Sequence, residues 1–179
     1  AADALQKAMR DNGLAMPDVA RVTTLVHQGA IDVLGPVVEP QTVHQAKFSM
    51  GTTLGLIAAY GMAGLVEFEE GFARPEIADF RRRVEMVLDP EVDAAYPARW
   101  IGKVRVATAN GRTIEARVDE PKGDPGNTLS RAEIDDKVRG LARFSGAASA
   151  GEMQALLPRL WSLARSNRVG PLLSGGTPD

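Results

Sequence analysis

Apolar positions along this chain follow two rhythms, and the rhythm changes several times. Ala1, Leu5, Ala8 and Met9 fall at helical spacing, and Asp3 and Lys7 are placed for an i,i+4 ion pair. Asn12-Gly13 predicts the end of that helix, because glycine takes up positive φ without steric cost. Beyond Pro17-Asp18 the period drops to two. Val22, Thr24 and Val26 share one face of a predicted strand over 19–27, and Arg21, Thr23, Leu25 and His27 share the other. A helical turn is expected within 29–35, and Pro36 and Pro40 bracket an extended loop.

From Phe48 to Val66 no residue is charged, with Lys47 and Glu67 at the boundaries. That length could nominally span a bilayer, and Gly51-x-x-x-Gly55 resembles a membrane-helix contact motif. Four glycines, two threonines, a serine and a tyrosine make the stretch only weakly hydrophobic, and its flanks carry no basic cluster. The better reading is a small-residue helix buried on all sides. Close approach by another backbone then compensates for the helix propensity that glycine lacks.

Pro75 is expected to start a further helix with Ile77, Phe80, Val84, Val87 and Leu88 as its apolar stripe. Arg81, Arg82 and Arg83 fan around it as a solvated face, with Arg83 paired to Asp79, and Asp89-Pro90 ends it. Alternation resumes over 100–108 and 113–118, and Asn110-Gly111 between them is a strong hairpin signal. A loop rich in Pro, Gly and Asp fills 120–127. Ser130 with Glu133, and Ser149 with Glu152, are capping boxes that open two amphipathic helices. Pro158 is expected to kink or split the second. From Val169 onward the composition suggests a frayed tail. The sum is an α+β fold: a small antiparallel or mixed sheet of at least three strands with several helices.

Composition narrows the chemistry. The 179 residues carry 21 basic and 23 acidic side chains, which speaks against a polybasic partner for nucleic acid or a membrane surface. There is no Cys, so disulfides, thiolate catalysis and Cys-based zinc sites are excluded. Only His27 and His44 are present; each could act as an acid or base, and no metal site is expected. Alanine (26 residues) and few aromatics favour helix-rich packing with close contacts. The start at Ala-Ala-Asp, already inside a helical pattern, reads as a cut within a longer protein. No nucleotide-binding, serine-hydrolase or zinc-protease motif is present. The most pointed constellation is Gln45-Ala46-Lys47-Phe48-Ser49 at the expected start of the uncharged helix. Lys47, Ser49 and the N–H groups that follow could face a carboxylate, with Thr52 one turn on; the alternative is a plain N-terminal cap with Lys47 in solvent.

Several segments carry a resemblance in order: Ala1-Ala2-Asp3-Ala4-Leu5, Val19-Ala20-Arg21-Val22, Ala46-Lys47-Phe48-Ser49 and Asp89-Pro90-Glu91-Val92. They continue with the turn Asn110-Gly111-Arg112, the loop from Lys122-Gly123-Asp124-Pro125 to Leu129-Ser130, and Asp135-Asp136-Lys137-Val138. Together they resemble the MmgE/PrpD family, over residues 1 to about 165. Its members include 2-methylcitrate dehydratase, cis-aconitate decarboxylase and iminodisuccinate epimerase.

The resemblance implies a C-terminal fragment of a cytoplasmic, homo-oligomeric (dimeric) lyase or isomerase, with no cofactor and no metal. Such an enzyme acts on small di- or tricarboxylates by proton abstraction next to a carboxylate. Its site lies between a large helical domain and a smaller α+β lid. The main acid and base groups are then expected outside this chain, which alone is inactive. Residues 1–127 correspond to the lid, 128–168 to helices that pack on the helical domain, and 169–179 to a flexible tail. By the same resemblance, Lys47 faces a substrate carboxylate, Ser49 bonds substrate or caps the helix, and Thr52 stands where the decarboxylase carries tyrosine. The alternative is a freestanding carboxylate-binding or assembly module, or one subunit of a split enzyme. Exposed apolar surface is expected on the C-terminal helices.

Overall fold

The computed structural model describes residues 1–167. Ala1–Thr128 form one compact unit, and a second begins at Leu129. The described residues hold nine α-helices and one four-stranded mixed sheet, an α+β fold.

In the first unit, α1 (Ala2–Asn12) ends at Gly13, whose φ of 61° lets its N–H reach back to the last turn. Strand β1 (Val19–Val26) follows. Short helices α2 (Gln28–Leu34) and α3 (Val43–Lys47) lead into α4 (Met50–Tyr60), α5 (Leu65–Gly71) and α6 (Pro75–Arg81). The chain then enters β2 (Val84–Leu88), passes through α7 (Pro90–Ala95), and closes with the hairpin β3 (Gly102–Thr108) and β4 (Thr113–Val118). Strand order is β2-β1-β3-β4. β2 runs parallel to β1, and the other two pairings are antiparallel.

One face of the sheet is dry. Val22, Val104, Val106 and Ile114 pack with Ala4, Leu5, Ala8 and Met9 of α1 and with Leu54, Ile57 and Ala58 of α4. The other face carries Arg21, Glu85, Arg105 and Glu115, paired across strands, as expected of a sheet solvated on one side. A bulge between Val19 and Arg21 resets the alternation of β1, so that Val19 and Val22 are both buried although three positions apart.

Several expectations require correction. The 75–90 segment is not one helix: α6 stops at Arg81, and Val84–Leu88 is a strand paired with β1. Val84, Val87 and Leu88 satisfy either period, and the distant partner decides. Asp89 therefore does not end a helix but caps α7, accepting from the Glu91 and Val92 N–H groups at 2.9 and 3.1 Å. Arg82, not Arg83, pairs with Asp79, and Arg83 donates to the Val19 carbonyl at 3.0 Å. The uncharged stretch is likewise divided, since Gly61 at φ 74° ends α4 and α5 departs at 102°. Among the described residues no single helix is long and apolar enough to cross a membrane. Lys7 pairs with Asp11 rather than Asp3, and Asp3 accepts the Lys122 backbone N–H at 2.6 Å.

The second unit is a helical pair, α8 (Arg131–Ser145) and α9 (Ala150–Ser162). Both capping boxes form as the sequence implies. The pair closes on a small core of Ala142, Met153 and Leu157. Trp161 donates from Nε1 to Asp135 at 2.8 Å, and the Arg131 guanidinium lies 4.8 Å from the Trp161 ring centre. Pro158 does not split α9, which runs through it. The expected tail lies outside the described residues.

Candidate functional site

The chemistry gathers where α4 begins. Gly51 and Gly55 face α6 so closely that a Cβ on Gly51 would sit 2.7 Å from the Arg81 Cγ and 2.8 Å from the Arg81 carbonyl. A Cβ on Gly55 would lie 3.2 Å from Ile77. The Gly-x-x-x-Gly spacing thus serves helix contact inside a protein core: glycine removes the side chains that would hold α6 away. Arg81, the last residue of α6, is pressed against the first turn of α4 and is only 9% exposed.

Three side chains form a hydrogen-bonded series there. Arg81 donates from Nη1 to Thr52 Oγ1 at 3.5 Å, and Thr52 Oγ1 donates to Ser49 Oγ at 3.0 Å. Ser49 Oγ also accepts the Thr52 N–H at 3.4 Å, so Ser49 is the N-cap of α4. A serine oxygen has two lone pairs and one proton. With Thr52 as the donor both lone pairs are engaged, and the Ser49 proton is then available to a group in the cleft. The series runs from a fixed cation to a hydroxyl with a donor to spare, and polarisation along it strengthens that donor. Helix geometry also leaves the Met50 and Gly51 N–H groups without intrahelical acceptors.

These groups open on a cleft of about 120 Å³ lined by Ser49, Gly51, Arg81, Arg82, Glu39 and apolar residues of α2 and β2. Its outward charges are the Arg81 and Arg82 guanidinium groups, with Glu39 between them: Arg81 Nη2 bonds Glu39 Oε2, and Arg82 Nε lies 4.0 Å from Oε1. The Arg81 Nε is buried without a partner. The cleft is a cluster of donors that suits a carboxylate.

Of the three residues singled out from sequence, the structure brings two together. Ser49 (2% exposed) lines the cleft, and Thr52 (0%) lies beneath it, engaged by Ser49 and Arg81. Lys47 does not open α4. It closes α3, where a cation suits the negative end of the helix dipole, and stands in solvent outside the cleft lining, with no ion pair among the described residues. Arg81 was hidden in a run of arginines that reads as a solvated face. Its close contact with Gly51, thirty positions earlier, helps to bury it. Neither histidine lines the cleft. His27 accepts the Ala30 N–H at Nδ1 (3.1 Å) and stacks on Tyr96, and His44 packs beside Phe48. Among the described residues no cluster of His, Asp or Glu could hold a metal ion.

The fold and the cleft define an α+β domain with a cationic, donor-rich recess at the start of a buried helix. The model of the MmgE/PrpD C-terminal domain matches residues 1–163, and the chain belongs to the MmgE/PrpD family. No curated protein matches it.

Proposed function

We propose that this chain is the lid portion of an MmgE/PrpD-like lyase or isomerase acting on small di- or tricarboxylates. The reaction begins with proton abstraction next to a carboxylate, with no cofactor. The observation that carries this reading is the series from Arg81 through Thr52 to Ser49, which ends on a hydroxyl in a cleft without histidine. A recess of donors can bind and orient a carboxylate, and its one carboxylate, Glu39, is taken up by Arg81 and Arg82. Ser49 donates to the substrate, Thr52 holds Ser49, and Lys47, outside the cleft lining, adds an electrostatic partner from solvent. The base comes from a separate helical domain, in keeping with a family model that is by name a C-terminal domain.

The experiment is reconstitution. The chain alone produces no dehydration, decarboxylation or epimerisation of citrate-like acids, and adding the helical domain in trans produces turnover. In that mixture Lys47→Gln raises KM by about tenfold, the size of one charged contact. Turnover by the chain alone contradicts the reading. A second reading, an assembly module without turnover, is favoured by Leu141 and Phe144 of α8, each nearly half exposed. Self-association with no activity under any pairing supports it.

A further inference from the structure

We propose that Arg81 is the residue that selects acidic ligands in this cleft, and that Glu39 is a resident carboxylate which the ligand displaces. This rests on the carboxylate reading above and adds to it a residue and an exchange.

A guanidinium removed from water needs a partner of opposite charge, because a desolvated cation left alone is strongly destabilising. Arg81 is nine-tenths buried, and among the described residues Glu39 supplies its only carboxylate. Glu39 is a poor permanent partner. It sits about half exposed on the loop between α2 and α3, and its two oxygens are divided between Arg81 and Arg82. A carboxylate that grips arginine well takes two parallel N–H bonds along one edge of the guanidinium. Nε and Nη2 form such an edge. Glu39 engages only Nη2, and Nε is buried with no acceptor. The strongest donor pair in the cleft is half used.

A ligand carboxylate that takes both Nε and Nη2 replaces one charge by another, so the buried cation is never unpaired during the exchange. It gains a bond that Glu39 does not make, and Glu39 returns to water at little cost. Displacement of Glu39 also frees one side of Arg82, whose other partner is Asp79. Two guanidinium groups then face the cleft, which favours ligands with two or three carboxylates over those with one. Thr52 fixes the other edge of Arg81 through Nη1, so the fork is held in orientation before the ligand arrives.

The full 179-residue chain is titrated with citrate, and with acetate as the one-carboxylate control, by calorimetry and amide NMR. Glu39→Gln removes the competitor at a half-exposed position, and its thermal melt verifies the fold. It is expected to bind citrate at least about tenfold more tightly than the parent, and acetate with a much smaller gain. Arg81→Lys keeps the charge and removes the fork; combined with Glu39→Gln it is expected to cancel the gain. Citrate binding that is no tighter in Glu39→Gln overturns the inference, as does an equal gain for acetate or an absence of citrate binding in every variant. If Lys47→Gln weakens citrate binding while the Glu39 and Arg81 variants leave it unchanged, the carboxylate reading survives and the assignment of Arg81 falls.

Discussion

Two clusters of charged side chains sit on the first unit, and they differ in whether their donors are used up. At one end of β3, Lys103 bonds both Asp89, at 3.0 Å, and Glu91. Arg117 joins Glu91 and Asp119, each at 2.7 Å, and Arg99 adds to Asp119 at 3.2 Å. Asp89 spends its other oxygen on the first turn of α7. The cluster is closed: it ties a helix start to two strands and offers a ligand little. The cluster at the start of α4 is open. It leaves the Arg81 Nε without a partner and ends on the Ser49 hydroxyl, in a recess. Paired charges hold the fold, and the donors left over are where the proposed carboxylate would bind.

The sharpest way to break the contrast is at its geometric support. Gly51→Ala puts a methyl group into the Arg81 backbone, which cannot give way as a flexible chain end would. It is expected to destabilise the first unit by about 2 kcal/mol in urea unfolding, as overpacking does, and to abolish citrate binding. Unchanged stability would mean that the α4–α6 contact is loose.

Removing the cation from the closed cluster comes next. Lys103→Met leaves Asp89 largely buried without its ammonium partner, at an expected cost of about 1–2 kcal/mol, with citrate binding intact. The cluster also sets a pH dependence. Burial works against ionisation of Asp89, yet Lys103 and the Val92 and Glu91 N–H groups outweigh it, and its pKa lies below the ordinary value. Lys103 and Arg117 lower that of Glu91, and Arg117 that of Asp119. Depressed carboxylates contribute stability that is complete above their unfolded pKa and is lost as pH falls through the folded one. The parent therefore loses stability below about pH 4, with unfolded values near that mark. In Lys103→Met that loss is smaller and is complete at a higher pH, because the folded pKa values are less depressed while the unfolded ones are unchanged. Lys103 itself, raised chiefly by its bond to Glu91, contributes stability that is complete below its unfolded pKa and is lost as pH rises through the folded one. Denaturation curves across the pH range check both signs.

The smallest effect belongs to the second unit. Ser149→Ala removes the cap of α9 and is expected to cost about 1 kcal/mol there, seen as faster amide exchange in α9. Amides of the first unit keep their exchange rates. A change in them would show that the charge clusters depend on the helical pair.

Local chemistry was the legible part of the chain. The Gly13 terminus, the Asn110-Gly111 hairpin, both capping boxes and the close backbone approach at Gly51 and Gly55 all follow from short-range patterning. What failed was decided at a distance. Val84–Leu88 becomes a strand because β1, more than sixty residues earlier, offers a parallel edge. Arg81 is buried because a glycine thirty residues earlier leaves it room. One miss had a readable signal: Asp89 followed by proline is the start of a helix, with the cap and the first residue both in place. In the candidate site Ser49 and Thr52 were visible as a helix start, whereas Arg81 and Glu39 were not, since their juxtaposition needs three separate elements to meet.

The central claim is that the open cluster receives a carboxylate on the Arg81 fork. The most direct measurement is the Nε–Hε NMR resonance of Arg81 in the full chain during addition of citrate. The account predicts a saturable shift of that signal, in step with the Ser49 and Gly51 amides, that is absent in Arg81→Lys. A stationary Arg81 signal while resonances around Lys47 move, or no movement at all, would contradict it.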